Sequence, residues 1–193
     1  MKKETLLFVI IALAAGILIG VIMTNSKKDL PSSVPATNPV PLSAPVVNQQ
    51  QQTTILEEIV AREPDNRNAW ITLGHNYFDS DQPMKAIEAY AKALELNGDD
   101  PDILTDQGVM YRRVGWFDKA ISNFEKANRI DSNHQQSLYN LGIVYRYDLQ
   151  DFPKTIKVWE QLLAIDPGSP GASQIRSELE FLKKHPEIPK QPQ

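Results

Sequence analysis

Three glycines, Gly74, Gly108 and Gly142, stand 34 residues apart, and so do Tyr77, Tyr111 and Tyr145. A second set keeps step with them: Lys85-Ala86-Ile87 and Lys119-Ala120-Ile121 are 34 apart, and Lys154-Thr155-Ile156 follows after 35. Aromatics recur at Tyr90, Phe124 and Trp159, and the small residues Ala93 and Ala127 precede the larger Leu162 in the same column. A fixed period of this length means one supersecondary unit repeated, each copy unable to bury its apolar face alone. The apolar spacing inside a unit predicts two amphipathic helices. The glycine lets one helix press close against the other, and the aromatics fill the space beside it. Such a chain is all-α and folds by stacking.

The segment WITLGHNYFDSDQPMKAIEAYAKALEL resembles the tetratricopeptide pattern W-x2-L-G-x2-Y followed by Ala, an aromatic and Ala, through Trp70, Leu73, Gly74, Tyr77, Ala86, Tyr90 and Ala93. With Arg67 as first position the units are 67–100, 101–134 and 135–169, and the extra residue of the last is expected in its inter-helix turn around Asp151 to Pro153. Gln107 replaces the family's leucine, Leu104 and Leu138 replace Trp, and Gly98 and Ser132 replace the proline that Pro167 retains. The resemblance implies a right-handed α-solenoid of helical hairpins. Thr53 to Glu63 predicts an N-terminal capping helix within 53–66, ended by Pro64. Residues 170–185 predict a C-terminal capping helix with Ile175, Leu179 and Leu182 on its apolar stripe, and 186–193 a disordered tail.

Ahead of the repeats, Leu6 to Met23 reads LLFVIIALAAGILIGVIM without a charge. Extended to Thr5 and Thr24 it predicts a transmembrane helix over 5–24 inside an anchor of 1–28. At about 1.5 Å per residue it covers roughly 27–30 Å, the thickness of a hydrocarbon core. The run exceeds the apolar region of a cleaved signal peptide, and no small-x-small site follows it. Gly16 and Gly20 form a GxxxG, which adds a weak homodimer to the expected partners. Residues 29–52 carry Pro31, Pro35, Pro39, Pro41, Pro45 and then Gln49 to Gln52, which predicts a disordered linker. Lys2 and Lys3 balance Lys27 and Lys28 across the run, so orientation rests on shape: a short tail in front and a long body behind. That favours a bacterial inner-membrane protein with a cytoplasmic N-terminus and a periplasmic body, with a cytoplasmic body as the alternative.

Charge narrows the function. Residues 53–193 hold 16 Lys and Arg against 22 Asp and Glu, a mildly acidic body that lacks the basic field of a nucleic-acid binder. The chain has no cysteine, which removes disulfides, thiolate nucleophiles and iron–sulfur ligation. His75, His134 and His185 are scattered, and no Walker loop, GxGxxG or GxSxG occurs. The sequence therefore predicts no catalytic residue, no metal site and no cofactor. Trp70 and Trp159 fall in core columns, whereas Trp116 lies in an inter-helix turn beside Phe117.

In the family that the sequence resembles, the first helix of each unit lines a concave groove. That resemblance implies Asn68, Ile71, His75 and Phe78 from the first unit, with Asp102, Thr105, Val109, Arg112 and Arg113 from the second. The third contributes Gln136, Tyr139, Ile143, Arg146 and Tyr147. An apolar floor of Ile71, Phe78, Val109 and Ile143 with aromatic rims and two arginines suits a peptide bearing apolar side chains and a carboxylate. The family's chaperone-binding carboxylate clamp would fall on Ile71, His75, Asp106, Gln136 and Asn140, none of which is Lys or Arg, so no such clamp is expected. The expected function is a membrane-anchored scaffold that holds a protein or peptide client. One alternative, resembling the anchored repeat subunits of c-type cytochrome maturation, holds apocytochrome. The other is a non-catalytic regulatory subunit of a cell-envelope enzyme or secretion complex.

Overall fold

Prolines and short polar side chains cut the body into hairpins. The structure, a computed structural model, describes residues 48–169 and 171–185. Within these run α1 (Gln49–Arg62), α2 (Arg67–Asp79), α3 (Pro83–Leu96), α4 (Pro101–Arg113), α5 (Phe117–Ile130), α6 (Gln135–Ile143) continued by a π-helical turn (Val144–Asp148), α7 (Phe152–Ile165) and α8 (Ala172–Lys184). There is no strand among the described residues. The expected transmembrane helix, the Gly16 and Gly20 pair, most of the linker and the tail lie outside them. Among the described residues no helix is long and apolar enough to cross a membrane.

The starts follow capping chemistry. Asp100 accepts from the Ile103 amide at 3.1 Å ahead of Pro101, and Asn66 accepts from the Ala69 amide at 3.1 Å. One boundary is corrected: the linker does not reach Gln52. Asn48 accepts from the Gln51 amide at 2.9 Å and Gln51 Oε1 accepts from the Asn48 amide at 3.2 Å. This reciprocal cap starts α1 at Gln49, four residues before the expected capping helix, and glutamine is a good helix former once capped.

Each repeat is a pair, α2 with α3, α4 with α5, and α6 with α7. Their glycines sit where two helices touch. A Cβ on Gly108 would lie 2.5 Å from the Phe124 ring, and one on Gly74 would lie 2.5 Å from the Tyr90 ring. The facing aromatics Tyr90, Phe124 and Trp159 are at most 2% exposed. The repeated lysine and tyrosine columns prove to be one contact: Lys85, Lys119 and Lys154 lie over the rings of Tyr77, Tyr111 and Tyr145 at 5.1, 5.5 and 5.1 Å. Two apolar clusters, one centred on Tyr77, Tyr90 and Met110 and the other on Phe124, Leu138 and Trp159, are joined through Val109 and Tyr111. Gln107, at a leucine column, is 4% exposed, and its amide donates to the Ile87 carbonyl and accepts from Asn123. Burial there is therefore compensated.

The extra residue of the third repeat is also relocated. The amides of Gln82 and Trp116 donate to the carbonyls of Tyr77 and Tyr111, five residues back, whereas the Asp151 amide donates to Tyr145, six back. The turn after each first helix holds a positive φ at the same column, in Asp81, Gly115 and Gln150. The insertion therefore precedes that turn, and the π-helical Val144–Asp148 absorbs it.

Candidate protein-binding face

The first helices α2, α4 and α6 with its π turn stand side by side and are followed by α8. Residues one period apart on them meet. His75 Nε2 lies 3.2 Å from Asp106, and Arg113 donates to Asp81 at 3.0 Å while its guanidinium stacks 4.8 Å above the Phe78 ring. Arg112 donates through Nε and a terminal nitrogen to both Asp148 oxygens, at 2.5 and 3.2 Å. Arg146 donates to Glu178 of α8 at 3.1 Å and lies over the rings of Tyr147 and Phe152. The hydrogen bond that the His75 ring donates to Asp106 holds it above its ordinary pKa. Burial opposes this, and the charges of Asp106, Asp79 and Asp100 add to it. On an adjoining edge, His134 sits 3.0 Å from Asp102.

The expected residues separate into groups. Asn68, His75, Arg113, Gln136, Tyr139 and Tyr147 are exposed. Ile71, Phe78, Val109 and Ile143 are half-buried and pack against the two clusters, so the apolar floor is partly core. Thr105 is a correction: it is fully buried, with no partner for its hydroxyl, and offers nothing to a ligand. Arg112 and Arg146 are already engaged within the chain, Arg112 by two hydrogen bonds to Asp148 and Arg146 by one from Nε to Glu178.

One feature escaped the sequence reading. Gln174, Ile175 and Glu178 of α8 close one end of the face against Tyr139, Ile143 and Tyr147, although the apolar stripe of this helix predicted only a capping role. Elsewhere, Trp116 is 39% exposed with Lys119 4.2 Å above its ring, beside an open hollow of about 500 Å3 lined by Phe117 and Leu149.

With this geometry in place, comparison with known proteins identifies the unit. The family described as "Tetratricopeptide repeat" matches residues 68–100 and 101–134. The chain carries tetratricopeptide repeats. The third hairpin, α6 with α7, follows the same glycine and aromatic columns as the two repeats so matched.

Among relatives, cytochrome c-type biogenesis protein CycH of Pseudomonas aeruginosa is 26% identical over 139 residues, 69% of this chain and 33% of that protein. Protein O-mannosyl-transferase TMTC3 of Homo sapiens is 27% identical over 96 residues, 49% of this chain and 10% of that enzyme. The chain thus spans a third or less of the length of these two relatives. Among solved structures, the crystal structure of MamA shares the repeat fold at a TM-score of 0.65 and 22% identity, over 70% of this chain and 79% of that one. The first repeat domain of Spaghetti (RPAP3) bound to the HSP90 peptide SRMEEVD superposes at 0.52 and 20% identity, over 69% and 94%.

Proposed function

We propose that the protein is an interaction scaffold, a role that its tetratricopeptide repeats support, and that its binding face is the row of first helices, with the strongest contacts at the end formed by α6, the π turn and α8. One observation carries this reading. Tyr139 and Tyr147 are 41% and 48% exposed on either side of Ile143, held on helices rather than on loops. Rigid aromatics of this kind bury large area on binding at small entropic cost, and they dominate interface energies. Because the neighbouring arginines are already neutralised, the favoured ligand is a peptide or helix presenting apolar or aromatic side chains, with no requirement for a terminal carboxylate. The face thereby differs in chemistry from one built for the acidic peptide seen with Spaghetti.

The protein acts here without catalysis. The O-mannosyl-transferase resemblance is confined to a tenth of that enzyme. The run from Leu6 to Met23 supports membrane anchoring, with the prolines after it acting as a tether and the repeats held in the periplasm. The partner then belongs to the cell envelope. The similarity to CycH over 69% of this chain favours cytochrome c biogenesis as the pathway, with an apocytochrome segment as client.

The double variant Tyr139→Ala/Tyr147→Ala tests the face. Its melting curve stays that of the parent, because both side chains are exposed, and recovery of the client in affinity purification from membranes falls at least about tenfold, the loss of two aromatic contacts. Unchanged recovery refutes the assignment of the face. Recovery of clients other than cytochromes refutes the pathway alone.

A further inference from the structure

Helix α1 occupies the place of a repeat's second helix, and among the described residues no first helix stands beside it. Counted 34 residues back from α3, Gln52, Leu56 and Ile59 stand where Ala86, Tyr90 and Ala93 stand. Helix α1 packs on α2 as α3 packs on α4. In the complete repeats this face is sealed by the glycine-bearing first helix, leaving Tyr90, Phe124 and Trp159 at most 2% exposed. In α1 it is open: Ile55 is 52% exposed, against 2% for its counterpart Ala89, and Leu56 and Ile59 are only partly buried. An open groove of about 350 Å3 results, with Ile55 and Leu56 on one wall, Thr72 and Asn76 of α2 on the other and Gln52 at the rim. Met110 and Val144, the counterparts of Asn76 in the next two repeats, are fully buried, so the same site is filled further along the stack.

We propose that this groove receives one amphipathic helix from a partner protein, which completes the missing half of a repeat. The internal copies describe the occupant: a helix of about 13 residues, the length of α2 and α4, with a small residue against Leu56, an apolar stripe toward α1 and a polar edge toward Thr72 and Asn76. The sequence ahead of α1 argues for a partner as the source. First and second helices of a repeat are joined by three residues, Ser80–Gln82 or Val114–Trp116, whereas α1 is capped by Asn48 and follows a stretch with Pro31, Pro35, Pro39, Pro41 and Pro45. A second copy does not supply it. Helix α8 is a first-type helix with no second after it among the described residues, and at the register of Trp70, Leu73, Gly74 and Tyr77 it carries Ser173, Arg176, Ser177 and Glu180, all exposed. Setting Arg176 and Glu180 against Ile55 would strand two charges in an apolar contact.

The test uses the purified full chain and a fluorescent, end-capped peptide of residues 67–79, RNAWITLGHNYFD, which carries the required pattern. Anisotropy shows saturable binding, and Ile55→Asp weakens it at least about tenfold by placing a charge in the contact. The melting curve of Ile55→Asp matches the parent, since the side chain is half exposed. A peptide with Gly74→Leu binds about tenfold more weakly, because the small residue at the crossing is lost. Tyr139→Ala/Tyr147→Ala leaves peptide binding unchanged, which separates this groove from the face proposed above. Absence of binding at about 1 mM peptide, or binding indifferent to Ile55→Asp, overturns the proposal. So does a dimer of the full chain that Ile55→Asp dissolves, which would assign the groove to a second copy.

Discussion

Replacing Gly108 with alanine probes the contact that makes a repeat a unit. The new Cβ would sit 2.5, 2.9 and 3.0 Å from three atoms of the Phe124 ring, and that ring is fully buried with no room to swing away. Restoring an ordinary contact near 3.5 Å requires a shift of about 1 Å between helices α4 and α5, which places the cost near the upper end of overpacking, about 3 kcal/mol. Alanine regains about 1 kcal/mol of helix propensity over glycine. The net loss is about 2 kcal/mol, read from urea unfolding of residues 45–193 followed by circular dichroism. A double-mutant cycle with Phe124→Leu shows the two substitutions costing at least about 1 kcal/mol less together than apart, because the smaller side chain relieves the clash. Gly115→Ala is the control. It has open space around it but φ of +78°, so it costs about 1 kcal/mol through backbone strain and shows no coupling to Phe124. A Gly108→Ala protein as stable as its parent, or additivity with Phe124→Leu, refutes the packing argument.

Asp100 caps α4 and pairs with Arg67 at 2.5 Å, joining two repeats; Asp100→Ala lowers stability by about 1–2 kcal/mol in the same assay. Burial pushes the Asp100 carboxyl upward, but the Arg67 hydrogen bond and the amides of Ile103 and Asp102 outweigh it and hold the group below the ordinary carboxylate range. Its contribution is therefore present above about pH 4 and is lost as pH falls through the depressed value, so the penalty of Asp100→Ala shrinks in acid. His75 behaves oppositely. Its raised pKa gives a contribution in place below about pH 6.5 that disappears as pH rises through the folded value, so His75→Gln loses more stability at about pH 5.5 than at about pH 8. The ring is exposed, so the difference stays under about 1 kcal/mol.

The hairpins were legible because close packing leaves a periodic mark: a glycine has to recur wherever an aromatic lies against the neighbouring helix, as Gly108 lies against Phe124. Single-residue register was not legible. The step from 34 to 35 residues reveals an insertion, but only the hydrogen bond from Asp151 to Tyr145 tells a π turn from a longer loop. The start of α1 was missed because a glutamine run beside prolines reads as linker until Asn48 is seen to close the reciprocal cap. The face was half legible. Position in the repeat pointed to Tyr139 and Tyr147, which are exposed, but the state of Arg112 and Arg146 depends on Asp148 and Glu178, partners about one period away whose pairing no local pattern specifies. Thr105 shows the same limit, since its column is exposed in one repeat and buried in another.

A photo-crosslinking amino acid placed singly at Tyr139, Tyr147, Lys92 or Lys157 tests the binding account most directly, because all four positions are exposed, two on first helices and two on second helices. The account predicts adducts to a partner from Tyr139 and Tyr147 and none from Lys92 and Lys157. Adducts from the second-helix positions alone would contradict it.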